Sequence, residues 1–304
     1  MIGQERLDKI LAFCTEFGEE KTLSRYEISI ETLHRYQREG RFAETRQPKI
    51  LLLDIETARM WVGAWRLGKQ HVGPDQIIKD WFMFGWCAKW LFNSEMMSEF
   101  VTGEEAVKRD DGRICKTLWA LLDSADVVIT HNGNAFDVPK INTRFIINHM
   151  IPPSPFQTID TCLVARKQFA FSSNSLNYLS LLLHSKEKLE TDYKLWIRCE
   201  NGEQEALDYM EKYCGVDVTR LEEAYLELRP YIKSHPNVGI LMDAKEMCCP
   251  NCGSFDIEIT DNYYTTPANQ YRVVRCKSCG APNRLPTSVL SNLDRKRLVR
   301  SVAR

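Results

Sequence analysis

The chain offers no long apolar run, no surplus of either charge, no internal repeat and no low-complexity tract. The missing apolar run excludes a membrane-spanning helix, which needs about 20 consecutive apolar residues. The opening Met-Ile-Gly-Gln-Glu-Arg6 lacks the apolar stretch of a secretory leader. A cytoplasmic setting, or a host's cytoplasm, is therefore expected, with no membrane partner. A net charge of −1 excludes attraction to nucleic acid by overall charge and leaves that task to local basic patches. Cysteine is not scarce, but its 11 copies are odd in number and mostly scattered, which argues against a disulfide framework. Cys14, Cys87, Cys115, Cys162, Cys199 and Cys214 read as small apolar residues.

What is there reads as several modules, since 304 residues with 44% hydrophobic content exceed one comfortable core. Residues 1–46 look helical. Leu7, Ile10, Leu11 and Phe13 form an amphipathic stretch, Gly18 interrupts it, and a second segment covers Glu20 to Tyr26. Ser29 is an N-cap for a third, which carries Arg35, Tyr36 and Arg38. The pattern resembles a helix-turn-helix DNA-binding unit, with those three residues facing DNA. A small bundle that only packs on its neighbour is the plainer reading.

Residues 47–234 read as a mixed α/β sheet flanked by helices. Strands are expected at Pro48 to Asp54, at Trp81 to Phe92, at Met97 to Val101, at Val127 to Thr130 and at Gln157 to Asp160. Helices are expected at Ile114 to Leu122, over 138–149 and from Glu203 to Tyr231. Leu176, Leu179, Leu182 and Leu183 would share one helical face, and Ala58 to Lys79 reads as an insertion. Residues 244–290 hold paired cysteines amid short β-runs, and 291–304 form a basic tail with Arg295, Lys296, Arg297, Arg300 and Arg304 against Asp294.

Three acidic motifs carry the chemistry. Asp54 and Glu56 stand at i and i+2 of a strand, so both point to one face. Tyr213 and Asp217 stand at i and i+4 of a helix and also share a face. Asp137 follows a Gly-containing loop after a strand. Three elements can thus deliver four carboxylates to one point. Such a cluster resists ionisation until divalent cations relieve it, and Mg²⁺ suits phosphate chemistry.

Asp54-Ile-Glu56-Thr57, His131-Asn132-Gly133-Asn134-Ala135-Phe136-Asp137-Val138-Pro139 and Tyr213-Cys214-Gly215-Val216-Asp217 resemble, in order, the three motifs of the DnaQ-like (DEDDy-type) 3′–5′ exonucleases of the ribonuclease H-like superfamily. The second is similar to that of family B DNA polymerase proofreading domains. The resemblance spans roughly 48–233. It implies a ribonuclease H-like fold and two Mg²⁺ (or Mn²⁺) ions. Asp54, Glu56 and Asp217 would hold the first ion, with Asp54 bridging to a second near Asp137. Tyr213 would orient the attacking water, Thr57 would lie near the terminal 3′-OH, and Asn132 would hold a sugar or backbone group. Trp61 and Trp65 would stack on unpaired bases, or pack over the strands. The expected partner is DNA, as a single strand or a frayed 3′ end, with a possible polymerase or replication partner. An RNA-trimming enzyme using the same site, and a non-catalytic DNA-binding adaptor, are the alternatives.

Cys249-Pro-Asn-Cys252-Gly and Cys276-Lys-Ser-Cys279-Gly are two knuckles that suit one closed, tetrahedral structural Zn²⁺, as in a zinc ribbon. Cys248 adjoins the first pair, but Cys249 gives the required spacing.

Overall fold

Four consecutive apolar residues, Ile50 to Leu53, are all buried, which requires cover on both faces of the strand they open. That strand lies at the centre of the larger unit, Lys49–Lys233, in a computed structural model of the protein. The described residues are 9–11, 13–14, 18–43, 46–184 and 190–299. Leu7, Arg300 and Arg304 lie outside them, as do the side chains of Arg35 and Arg38.

The strands of the larger unit are β1 (Ile50–Thr57), β2 (Trp61–Val62), β3 (Ile77–Lys79), β4 (Met83–Trp90), β5 (Met97–Phe100), β6 (Val127–Thr130) and β7 (Gln157–Asp160). Five of them form a sheet in the order β5-β4-β1-β6-β7. β1 runs antiparallel to β4 and parallel to β6, and β7 continues the parallel side. β2 and β3 form a separate hairpin within the stretch expected to be an insertion.

Helix Gln204–Leu228 packs on β1 and β4. Its Leu207, Met210, Leu221 and Leu228 are buried, as their helical spacing predicts. Each such side chain contributes about 1.5–3 kcal/mol when removed from water. Helix Asp137–Ile147 is fixed by a buried ion pair, in which both guanidinium Nε and Nη2 of Arg144 donate to Asp111. Asp111 also accepts the Met83 N–H at 2.9 Å, so one carboxylate ties this helix to β4.

In helix Leu176–His184, Leu179 is fully buried, but Leu182 and Leu183 are 53% and 36% exposed. The helix packs against the long helix.

The second unit combines 1–48 with 234–304. Helices Glu19–Tyr26 and Ile30–Ala43 are joined by a three-residue turn in which Glu27 has φ +51. Ser29 caps the second helix, its hydroxyl accepting the Thr32 N–H at 3.2 Å. Ile10 and Leu33 are buried, and Tyr36 is half-buried. Arg46 reaches the carboxyl-terminal part of the same unit, with Nη1 donating to the Leu241 carbonyl at 3.0 Å. There β8 (Ile257–Thr265), β9 (Gln270–Cys276) and β10 (Pro282–Ser288) form an antiparallel sheet in the order β10-β9-β8. Among the described residues, no helix is long and apolar enough to cross a membrane.

Candidate active site

The site grows from the middle of β1. Buried Ile55 points one way, and its partly buried neighbours Asp54 and Glu56 point the other. Two hydrogen bonds bring the remaining motifs to them. Asp137, the first residue of its helix, accepts the Ile55 N–H at 3.3 Å through Oδ1. Cys214, one residue after Tyr213 on the long helix, donates its thiol to Asp54 Oδ2 at 3.4 Å. Both partners are long-range in sequence, and both land on consecutive residues of one strand.

The electrostatics follow from that convergence. Burial holds the Asp54 carboxyl well above its ordinary range, and the charges of Asp137, Glu56 and Asp217 push in the same direction. Asp137 is pushed up to about 7, first by burial and further by Asp160, against the opposing pull of the Ile55 N–H and of Lys140. The Tyr213 hydroxyl is held above its ordinary value by burial and by the charge of Asp217, to which it is hydrogen-bonded. Arg220 Nη1 lies 3.4 Å from Asp217 Oδ1, so this acid carries a partial counter-charge. Hard divalent cations fit such a donor set of oxygens, because they relieve the repulsion that burial aggravates.

The loop of the second motif is shaped by a residue the motif does not contain. Asp160, buried at the end of β7, accepts the N–H groups of Asn132, Asn134 and Leu163 at 3.0, 3.1 and 3.1 Å. Asn132 adopts φ +65, and its backbone rather than its side chain makes that bond. A Cβ at Gly133 would stand 2.2 Å from Thr130 Oγ1, so this turn requires glycine. His131 is hydrogen-bonded to Thr161 and to the Asn174 carbonyl, and burial lowers its pKa, a structural position for a neutral ring.

Lys140 also escaped the sequence reading, although it follows Asp137 by three residues and so shares its helix face. Its Nζ lies 3.3 Å from Thr57 Oγ1, 3.8 Å from the Trp81 ring centre and 4.9 Å from that of Phe136. Trp61 is half-buried and engaged: its Nε1 donates to Glu200 at 2.6 Å, and Lys79 lies 4.5 Å over its ring. Arg59 grips the same Glu200 at 2.9 Å. Trp65 is 94% exposed on the loop between β2 and β3.

In the second unit, the ligand atoms of Cys249, Cys252, Cys276 and Cys279 all lie within 4.8 Å of one another. Cys249 Sγ is 3.6 Å from Cys279 Sγ, and Cys252 Sγ is 3.6 Å from Cys276 Sγ. Each knuckle closes on a glycine N–H: Gly253 to the Cys249 carbonyl at 2.8 Å and Gly280 to the Cys276 carbonyl at 2.9 Å. These glycines have φ +76 and +77. The sulfur set fits a zinc ribbon, and Cys248 is not part of it. Among the described residues, the carboxylates are not gathered that tightly.

A comparison with known families agrees with this architecture. The model of the RNase H superfamily matches residues 82–228, a span that includes Asp137 and Asp217 but begins after Asp54 and Glu56. The sheet flanked by helices is accordingly a ribonuclease H-like domain, a fold that is typically nucleolytic. The family B DNA polymerase from the hyperthermophilic archaeon Pyrobaculum calidifontis is a similar solved structure, at 12% identity and a TM-score of 0.43. The match covers 61% of this chain and 26% of that polymerase chain. No curated protein matches this chain.

Proposed function

We propose that the chain is a metal-dependent 3′–5′ exonuclease that removes nucleotides from single-stranded or frayed 3′ ends of DNA. One observation supports this reading above the rest. Asp137 is bonded to the peptide between Asp54 and Glu56, and the residue beside Tyr213 is bonded to Asp54 itself. Three motifs separated by some 160 residues thereby meet at one strand.

Asp54, Glu56 and Asp217 would hold one Mg²⁺ or Mn²⁺ and Asp54 with Asp137 a second; bound there, the ions would lower the pKa of water and neutralise developing phosphate charge. The remaining tasks fall to the chain itself. Tyr213, whose hydroxyl holds its proton firmly, can orient a water by hydrogen bonding but cannot deprotonate it. Thr57, at the end of β1 and next to the Lys140 ammonium, would seat the terminal sugar. Asn132, held by its backbone, has an amide side chain left for a nucleotide. Trp65 offers an open ring for an unpaired base, whereas Trp61 is committed to Glu200.

The test is product mapping. A 5′-labelled DNA single strand should shorten one nucleotide at a time, releasing 5′-monophosphates, only when Mg²⁺ or Mn²⁺ is added. Cuts inside a closed circle, or shortening that a matched RNA supports and DNA does not, would refute it.

A further inference from the structure

The far end of the β8–β9–β10 sheet carries a second feature that the carboxylate site does not use. Tyr264 on β8 and Tyr271 on β9 are directly paired across the strands, next to the turn that joins them. Arg284 on β10 lies over both rings, 3.9 Å from the centre of Tyr271 and 5.9 Å from that of Tyr264. Tyr264 is 52% exposed and Arg284 is exposed. The cysteines occupy the opposite end, where Ile257 pairs with Cys276, so the aromatic pair has no part in the sulfur cluster.

The carboxyl-terminal stretch of the sequence is basic. From Asn262 to Arg304 the sequence holds nine Lys or Arg and one acid, Asp294, in a chain whose net charge is −1. β10 leads into helix Asn292–Lys296, and Arg295 of that helix donates to Asn269 Oδ1 at 3.3 Å, in the β8–β9 turn. The basic tail thus starts beside the tyrosine pair. Aromatic rings offer faces to unpaired bases, and a planar guanidinium beside them meets phosphate or stacks with a base. A protein partner of ordinary surface would not need an open tyrosine face beside a guanidinium.

We propose that this face is a binding site for single-stranded nucleic acid, with bases on Tyr264 and Tyr271 and phosphates at Arg284 and the Arg295 helix. The site is separate from the carboxylates and would tether a strand without any chemistry. Its contacts are to base faces and phosphates, so it reads strandedness rather than sequence.

The test is fluorescence anisotropy of the full chain with a labelled oligothymidylate about 20 nucleotides long, long enough for such a platform. No divalent cation is added, so binding is read without turnover. The combined variant Tyr264→Ala/Arg284→Gln should weaken binding about tenfold or more, and the slope of log K against log salt should fall by about 1. Bound zinc and the thermal midpoint should stay as in the unaltered chain. Arg284→Lys should keep the slope and lose part of the affinity. A duplex of the same length, its bases already stacked, should bind more weakly. The proposal is overturned if the combined variant binds as the unaltered chain does, if the duplex binds as tightly, or if the unaltered chain binds no single strand. A catalytically dead carboxylate site would leave this binding intact, so the two readings fail separately.

Discussion

At the cysteine cluster, four side chains from two short knuckles crowd to within 4.8 Å; at the carboxylate cluster, four side chains from three remote elements converge without packing so closely. The difference is one of charge. Thiols that hydrogen-bond to one another can approach closely, whereas carboxylates in a buried place repel. The first cluster is organised by local turns, through Gly253 and Gly280. The second is organised by the core of a domain, through the Ile55 peptide and the Cys214 thiol. A ligand set of the first kind completes its own small fold. One of the second kind is imposed on an existing fold at an electrostatic cost that a cation can remove.

The largest effect should come from breaking the first cluster. Cys276→Ser removes one of four thiolates from a site whose zinc affinity is folding free energy, of order 10 kcal/mol or more in such small domains. Bound zinc should fall from one per chain to none, and hydrogen exchange should show β8–β10 open while β1 and β4 stay protected. Retention of zinc and of β9 protection would refute the assignment. Next comes Asp54→Asn at the second cluster. Loss of the proposed bridging ligand should reduce turnover by more than the ~10–100-fold that removing a ligand's mere supporting partner costs. Without metal, the same variant should be more stable than the unaltered chain, since it deletes the group most opposed by its neighbours. Thermal unfolding checks this, and a lowered midpoint would show that no such repulsion exists.

The two clusters also differed in how well they could be read from residues alone. Knuckle spacing is a local property, so the four cysteines were legible, down to the choice of Cys249 over Cys248. The acids were legible because strand and helix periodicities put Asp54 with Glu56 and Tyr213 with Asp217. The central sheet and the long helix followed from the same periodicities. Asp160 was not legible: it shapes the second motif's loop from 26 and 28 residues away, and nothing in its spacing says so. Cys214 read as a small apolar residue, and it is buried, yet its thiol serves Asp54. Leu182 and Leu183 lie on the helix expected for them, yet their side chains are exposed.

A smaller effect sharpens the electrostatic half of the contrast. The native state keeps protons on Asp54 and Asp137 at pH values where an unfolded chain, with carboxyls near 3.9, has released them. Stability therefore falls as pH rises, from about 4 up through the Asp137 value of about 7. Cation binding opposes this only once the acids ionise. The rise in melting temperature on adding Mg²⁺ or Mn²⁺ should accordingly be larger at pH 8 than at pH 6. A metal-induced shift that does not change with pH would remove the repulsion from the account.

The smallest effect concerns cysteine itself, which acts as a ligand at one cluster and as a hydrogen-bond donor at the other. A thiol donating at 3.4 Å is a weak donor, and its net value is at most about 0.5–1.5 kcal/mol. Cys214→Ala removes that donor from Asp54 Oδ2 and should raise the carboxyl's proton affinity further, since the thiol is what lowers it. Apparent metal affinity should weaken by a few-fold, while bound zinc stays unchanged. Cys214→Ser restores a donor, a better one, in nearly the same volume and should recover metal affinity even though a buried hydroxyl costs some stability. If alanine and serine behave alike in metal titrations, Cys214 is only filling space, and its contact with Asp54 orders nothing. If serine recovers what alanine loses, the same element that builds the ribbon's metal site tunes the acidic one from outside its ligand set.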